Sequence, residues 1–171
     1  TKSPVFQQAG LDELGIAETF EAWDVAPDEL EEKVTTFRAT GFLAACVTLP
    51  HKQAVIPLVD ELTEAAEAVG AVNWIFNRDG KLVGHNTDGT GFLRALKEKT
   101  GFDPAGVDAV VFGAGGAARA IVYALKLAGI ARLTIANRTV GKAQALASEF
   151  SEGRFKPDAI GLSRDELANC A

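Results

Sequence analysis

The stretch Val111-Phe112-Gly113-Ala114-Gly115-Gly116-Ala117-Ala118 decides how the second half of the chain reads. It closes a strand-like run at 107–112 (VDAVVF) and opens a helical pattern over 116–128, in which Ala117, Ile121, Ala124, Leu125 and Ala128 recur as apolar positions. Gly113 permits a tight turn and Gly115 a bare backbone, so a pyrophosphate can approach the free N–H groups that open the helix. Ala118 takes the third position of this dinucleotide pattern. Glycines also serve plain turns, and the flanking strand and helix are what favour a ligand.

The next strand, 132–136, selects the ligand. An acid about 20 residues beyond the turn would suit ribose hydroxyls, but the strand ends on Asn137-Arg138-Thr139. Arg138 offers a planar fork for a 2′-phosphate, Asn137 and Thr139 add hydrogen bonds, and Lys142 adds a second cation one turn later. NADP is therefore the expected cofactor. A helix over 140–150 and a strand near 158–162 complete a βαβαβ pattern.

Upstream, Gly101, Pro104 and Gly106 punctuate a boundary region. The expected division is 1–88 for a substrate-binding, catalytic domain and 89–171 for the first part of a nucleotide-binding domain. In the first part, Ser3-Pro4 predicts a capped helix ending at Gly15, residues 19–25 (TFEAWDV) a strand, and Pro27 a helix carrying Leu30, Val34, Phe37 and Gly41 on one face. The apolar run 42–49 (FLAACVTL) predicts a strand buried on both faces of a parallel sheet. Helices are expected at 51–56 and 57–69, separated at Pro57. Asp79-Gly80 between apolar stretches predicts a hairpin over 71–77 and 81–86, followed by a helix over 90–99.

Two polar clusters fall where strands end. One is Thr48-Leu49-Pro50-His51-Lys52; the other is His85-Asn86-Thr87-Asp88-Gly89. Ligands of open α/β sheets bind at this edge, so a lysine and an aspartate from separate segments are candidates to share a cleft. Read locally, Ser3 and Asp88 also suit helix caps. His51 and His85 lack an acid at useful spacing and are not expected to act as a base.

Composition narrows the partners. The 171 residues carry a formal charge of −6, with no lysine or arginine cluster able to track a phosphate backbone, so nucleic acid is not an expected partner. No apolar run approaches the roughly 20 residues that span a bilayer, and no charged, apolar and small-residue leader is expected. Cys46 and Cys170 lack metal-type spacing, so no metal is expected, and they suit a cytoplasmic setting. The chain has no methionine, begins in what reads as a loop and ends without a stop signal, which reads as a fragment.

In their order along the chain, Thr1-Lys2-Ser3-Pro4, Val47-Thr48-Leu49-Pro50-His51-Lys52, Ala71-Val72-Asn73, Asn86-Thr87-Asp88-Gly89, Gly113-Ala114-Gly115-Gly116-Ala117-Ala118-Arg119 and Asn137-Arg138-Thr139 resemble the shikimate dehydrogenase family. The resemblance implies an α/β fold, with an N-terminal three-layer αβα substrate domain followed by a partial Rossmann-type NADP-binding domain. It implies reversible, NADP-dependent reduction of 3-dehydroshikimate to shikimate, in aromatic amino acid biosynthesis. Thr1, Ser3, Thr48, Lys52, Asn73 and Asp88 would bind substrate, Lys52 and Asp88 would form the catalytic pair, and Gly113, Ala114, Gly115, Gly116, Ala117, Asn137, Arg138, Thr139 and Lys142 would hold NADP. A monomer or homodimer is expected.

Three positions depart from the family pattern: Cys46 for asparagine, Thr1 for serine and Trp74 for threonine. The family's first strand, last strands and C-terminal helix have no counterpart here. A broader quinate/shikimate dehydrogenase and a non-catalytic shikimate- or NADP-binding paralogue are the alternatives; retention of both Lys52 and Asp88 speaks against the second.

Overall fold

A tight turn organises the first sheet. Asp79 and Gly80 have φ of 54° and 86°, the mirror-image turn geometry that an Asp-Gly pair tolerates, and they join β3 (Trp74–Arg78) to β4 (Lys81–His85). Asn77 accepts from the Gly80 N–H at 2.7 Å and donates to the Phe37 carbonyl at 2.9 Å, which ties the hairpin to the segment after α2 (Leu30–Thr36). Strand β1 (Ala44–Cys46) pairs antiparallel with β3, and β2 (Glu61–Leu62) pairs parallel with β4, giving the order β1-β3-β4-β2. Val34, Val55, Ala66, Val72, Ile75 and Leu82 form its buried core. The structure, a computed structural model, describes residues 2–168; Thr1 and Cys170 lie outside the described residues.

Several local expectations change here. The run 42–49 yields only the three residues of β1, half-buried at a sheet edge and antiparallel to its neighbour. Phe42 leaves the strand direction to stack on Phe37, with centroids 4.4 Å apart, and Pro50 has no N–H to extend a ladder. Residues 19–25 are no strand: Trp23 stacks on Phe37 and Phe42, and the Phe20 N–H donates to the Gln8 side chain at 2.8 Å. Strand-forming composition there serves aromatic packing. The helix expected from Pro27 to Gly41 is confined to α2, followed by turns.

In place of two helices over 51–69 stand turns, a single 3₁₀ turn at Ile56–Leu58, strand β2, and α3 (Glu64–Val69), whose first turn is capped by the Thr63 hydroxyl. The sheet wins because the Asp60 N–H donates to the Leu82 carbonyl at 2.9 Å, drawing this segment alongside β4. Ser3 is the first residue inside α1 (Ser3–Glu13) and not its cap. Helix α4 (Asp88–Thr100) likewise starts at Asp88, earlier than expected, with Thr87 in the cap position.

The second sheet follows the expected pattern. Strands β5 (Asp108–Phe112), β6 (Arg132–Ala136) and β7 (Asp158–Ile160) are parallel in that order, linked through α5 (Gly116–Leu127) and α6 (Val140–Phe150). A short α7 (Arg164–Ala168) follows. Helix α5 buries Ala118, Arg119, Ala120, Val122, Ala124 and Leu125, a wider surface than the expected stripe, while Ala117 stays exposed. It is covered twice, by the core around β5 and β6 and by α4.

That second contact needs bare backbone. A Cβ on Gly89 would lie 2.9 Å from the Ala120 carbonyl oxygen and 3.3 Å from the Ala124 Cβ, so α4 and α5 approach at a distance only glycine allows. Arg119 then crosses from α5 to the Val69 carbonyl at 2.9 Å and to Glu149 on α6, joining both sheets' helices through one buried guanidinium.

Gly89→Ala should lower unfolding free energy by about 1–3 kcal/mol, since a backbone carbonyl cannot yield as a side chain can. Gly91→Ala, where an added Cβ meets nothing within 4 Å, should raise it by about 0.5–1 kcal/mol through helix propensity. Urea denaturation of both variants checks the opposite signs.

Candidate functional site

The site is assembled from strand ends. Beyond β1 the chain turns at residues 48–52: the His51 N–H donates to the Thr48 carbonyl at 2.9 Å, and the His51 ring meets the Val25 carbonyl at 2.8 Å. The Lys52 carbonyl accepts from the Val72 N–H at 2.7 Å, fixing the lysine's backbone against the segment entering β3. The Lys52 ammonium then reaches Asp88 at the start of α4, with Nζ to Oδ2 at 2.5 Å. Their side chains are 17% and 26% exposed, so this pair stands largely out of water.

Two buried asparagines hold the aspartate. Asn73 donates from Nδ2 to Asp88 Oδ1 and to Thr87 Oγ1, both at 2.9 Å, while its Oδ1 accepts the Thr87 N–H. Asn86 donates to the Ala71 carbonyl at 2.9 Å and accepts the Asp88 N–H at 3.0 Å. Asn73 on Oδ1 and Lys52 on Oδ2 give each carboxylate oxygen one partner, which leaves each a further lone pair. Buried amides left half-paired would cost about 1–3 kcal/mol each; among the described residues no buried side-chain N or O lacks a partner. An ammonium has three donors, and one of them serves Asp88.

Two cavities meet here. The first, about 550 Å³, is lined by Ser3, Cys46, Thr48 and Trp74 together with the aromatic residues of segments 19–25 and 37–42. Burial chiefly pushes the Cys46 thiol up, opposed by the nearby Lys52 charge and by a hydrogen bond to Ser3, so this position presents a neutral S–H. The second cavity, about 730 Å³, lies between Thr48 and Lys52 on one wall and the 112–119 turn on the other. Thr48 borders both.

The glycine turn has the shape the second cavity needs. Gly113 sits at φ 110°, a conformation side chains resist, and an added Cβ at Gly115 would meet nothing. No side chain caps α5, which leaves the N–H groups of its first turn facing the cavity that Gly113, Ala114, Gly115, Gly116 and Ala117 line. Asn137, Arg138, Thr139 and Lys142 line the far end. Asn137 braces that loop by donating to the Thr139 carbonyl at 2.9 Å. Arg138 and Lys142 are exposed and enter none of the ion pairs among the described residues. Uncapped amides plus two free cations are a donor set for a phosphorylated dinucleotide.

Expected residues are thus distributed unevenly. Ser3 and Thr48 face the first cavity; Lys52 and Thr48 face the second. Asn73 and Asp88 line neither: Asn73 uses its amide on Asp88 and Thr87, and Asp88 stands behind Lys52 as its ion-pair partner. Thr1 lies outside the described residues. Asn86, part of the second polar cluster and of the Asn86-Thr87-Asp88-Gly89 motif, carries no expected role, although an Asn two residues before a helix start signals an Asx turn. Arg119 had a signal too, a lone charge in the alanine-rich start of α5. His51 and His85 are both engaged structurally, the latter with Thr63 at 2.8 Å. Among the described residues no group of three His, Cys, Asp or Glu could hold a metal, and no helix is long and apolar enough to cross a membrane.

The parallel sheet with its glycine turn defines a Rossmann-type α/β protein. Family models sharpen this: one described as shikimate dehydrogenase substrate binding domain matches residues 1–75, and one described as shikimate / quinate 5-dehydrogenase matches residues 95–169. The shikimate dehydrogenase (NADP(+)) of Methanopyrus kandleri is 48% identical over 166 residues, covering 96% of this chain and 57% of that protein. The crystal structure of shikimate 5-dehydrogenase from Thermus thermophilus, with NADP(H) and shikimate, matches with a TM-score of 0.82 at 34% identity, covering 96% of this chain and 64% of that one. Ligand-free 5-ketofructose reductase of Gluconobacter sp. strain CHM43 matches with a TM-score of 0.81 at 39% identity, covering 95% and 58%. The chain belongs to the shikimate dehydrogenase family. It spans a little over half the length of the curated relative from Methanopyrus kandleri.

Because burial raises its proton affinity, Cys46 should be alkylated by iodoacetamide more slowly than glutathione at pH 8. Its rate should keep climbing with pH beyond about 8.5, where an ordinary thiol begins to level. Peptide mass mapping separates it from Cys170, and a Cys46 rate that levels by pH 8 would contradict the assigned environment.

Proposed function

We propose that residues 1–88 form the substrate-binding and catalytic part, and residues 89–171 the first part of the NADP-binding domain, of an NADP-dependent shikimate dehydrogenase. The reaction is the reversible reduction of 3-dehydroshikimate to shikimate, a step of aromatic amino acid biosynthesis in the cytoplasm, by a monomer or homodimer. One observation carries this reading. Lys52, ion-paired with Asp88 behind it, lines a cavity whose opposite wall is an uncapped, glycine-lined helix start.

When bound, NADPH supplies the hydride. Everything else falls to this chain. Gly113, Ala114, Gly115, Gly116 and Ala117 receive the pyrophosphate, and Arg138 and Lys142, with Asn137 and Thr139, receive the 2′-phosphate. On the substrate side, Ser3 and Thr48, with Thr1, present hydroxyls to a ligand that carries a carboxylate and several oxygens. The Lys52 ammonium donates a hydrogen bond to the ketone oxygen and a proton as that oxygen becomes an alkoxide. Asp88 keeps the ammonium in place and accepts from a substrate hydroxyl, and Asn73 and Asn86 keep Asp88 in place. In the reverse direction Lys52 takes the alcohol proton.

A second reading stays within the same chemistry: a broader reductase of cyclic or open polyhydroxy ketones, quinate among the reverse substrates. Cys46 and Trp74 favour it, because they put a thiol and an indole on the first cavity where the family pattern has an amide and a hydroxyl. Comparing catalytic efficiencies on shikimate and quinate, with both cofactors, separates the two.

The primary test is shikimate-dependent NADP reduction by the full-length protein, followed at the nicotinamide absorbance. Lys52→Ala should lower kcat at least about a hundredfold with NADP affinity nearly unchanged; unaltered turnover rejects the role. Arg138→Ala should weaken NADPH far more than NADH. Equal losses would move the 2′-phosphate elsewhere.

A further inference from the structure

We infer that Gly116 is a positioning residue for Lys52, and that helix α5 is the template that sets the lysine against Asp88. The inference rests on the role proposed for Lys52. Gly116 opens α5 with a φ outside the left-handed region, so its backbone makes no demand for glycine. Alanine would be the better helix residue there by propensity. What the position demands is space. A Cβ on Gly116 would lie 2.8 Å from the Lys52 Cβ, 3.1 Å from its Cδ and 3.5 Å from the Ala71 Cβ.

Those neighbours cannot step aside cheaply. The Lys52 Cβ moves only with its backbone, whose carbonyl is held by the Val72 N–H at 2.7 Å, and Cδ lies midway along a stem whose tip is held by Asp88. Ala71 is fully buried. An added methyl therefore has two outlets: α5 retreats, or the lysine stem rotates and its ammonium leaves the aspartate.

The same helix gauges the other partner. Gly89 follows Asp88 directly and rests on the Ala120 carbonyl, where a Cβ would stand 2.9 Å away. Positions 116 and 120 are one turn apart on one helix face. Both ends of the ion pair are thus measured off one rigid surface, the lysine stem over Gly116 and the start of α4 over Ala120. Gly115 differs: a Cβ there meets only the open cavity. The two adjacent glycines divide the work, Gly115 keeping the cavity clear for phosphates and Gly116 keeping the stem of Lys52 in line.

The test uses the full-length protein, with two variants and a probe of Lys52 that needs no cofactor. In nucleotide-free protein labelled with ε-¹³C lysine, Gly116→Ala should move the Lys52 resonance and Gly115→Ala should not. In turnover, Gly116→Ala should lower kcat on the order of tenfold to a hundredfold, as misplacement near 1 Å does, while the NADP Kd rises less than in Gly115→Ala, because alanine keeps the backbone N–H that position 116 offers a phosphate. Gly115→Ala should raise that Kd. Should Gly116→Ala leave the Lys52 resonance in place and raise the Kd instead, Gly116 serves the nucleotide alone and the inference fails. If Gly116→Ala does not fold, the Lys52→Gly background decides: folding restored there supports the contact, and folding still lost overturns it. Retained turnover in Lys52→Ala would remove the proposed role of the lysine, while the resonance in nucleotide-free protein would still report whether Gly116 sets it.

Discussion

The close approach of helix α5 to the first half of the molecule is the constraint on which the rest depends. At Gly116 and Gly89 the approach is tighter than any side chain allows, and at Arg119 it is sealed by a guanidinium that is only 7% exposed. A buried cation without partners would be untenable, and this one has the Val69 carbonyl, Glu149 and the Phe150 ring around it. Gly70, left-handed at φ 65°, makes room for that guanidinium while ending α3. Small residues and one long charged residue thus do complementary work: the first allow contact, the second fixes its register.

From this contact the polar centre acquires its shape. Lys52 comes from the turn after β1 and Asp88 from the start of α4, and neither element touches the other through regular secondary structure. They meet because Asn73 and Asn86 bind the ends of β3, β4 and α4 into one hydrogen-bonded knot. Such a network is stable only when complete, since in a poorly hydrated site each unpaired amide weighs more than in water. It fixes Asp88 through its backbone N–H and both carboxylate oxygens, and Lys52 keeps two donors beyond that pair.

The two cavities differ in chemistry for physical reasons. One is walled by aromatic rings, by the hydroxyls and thiol of Ser3, Thr48 and Cys46, and by the charged Glu18, Glu21 and Lys33; the other has backbone N–H groups at a helix start and exposed cations at a strand end. Dipole ends with arginine and lysine suit phosphates. Thr48 is common to both, so groups held on either side would face each other near the Lys52 ammonium.

The second half of the fold was legible because each of its signals is local. Strand, glycine turn, helix and the cationic strand end lie in one continuous stretch of chain, and their periodicity matches β5, α5, β6 and α6. The Asp-Gly hairpin was legible for the same reason. The first half was misread wherever a segment's partner is remote: residues 19–25 have strand composition and pack by aromatic stacking, and residues 51–69 alternate among turn, 3₁₀ turn, strand and helix because β4 captures Asp60 to Leu62. What the sequence by itself determined were the residue types that carry the chemistry and the backbone turns that glycine and aspartate permit. The tertiary structure alone decided that Asn73 and Asn86 serve Asp88, that Arg119 bridges three helices and that Gly116 abuts Lys52. Those are contacts between side chains far apart in the chain, set by how closely two helices can pack, and no local period records that distance.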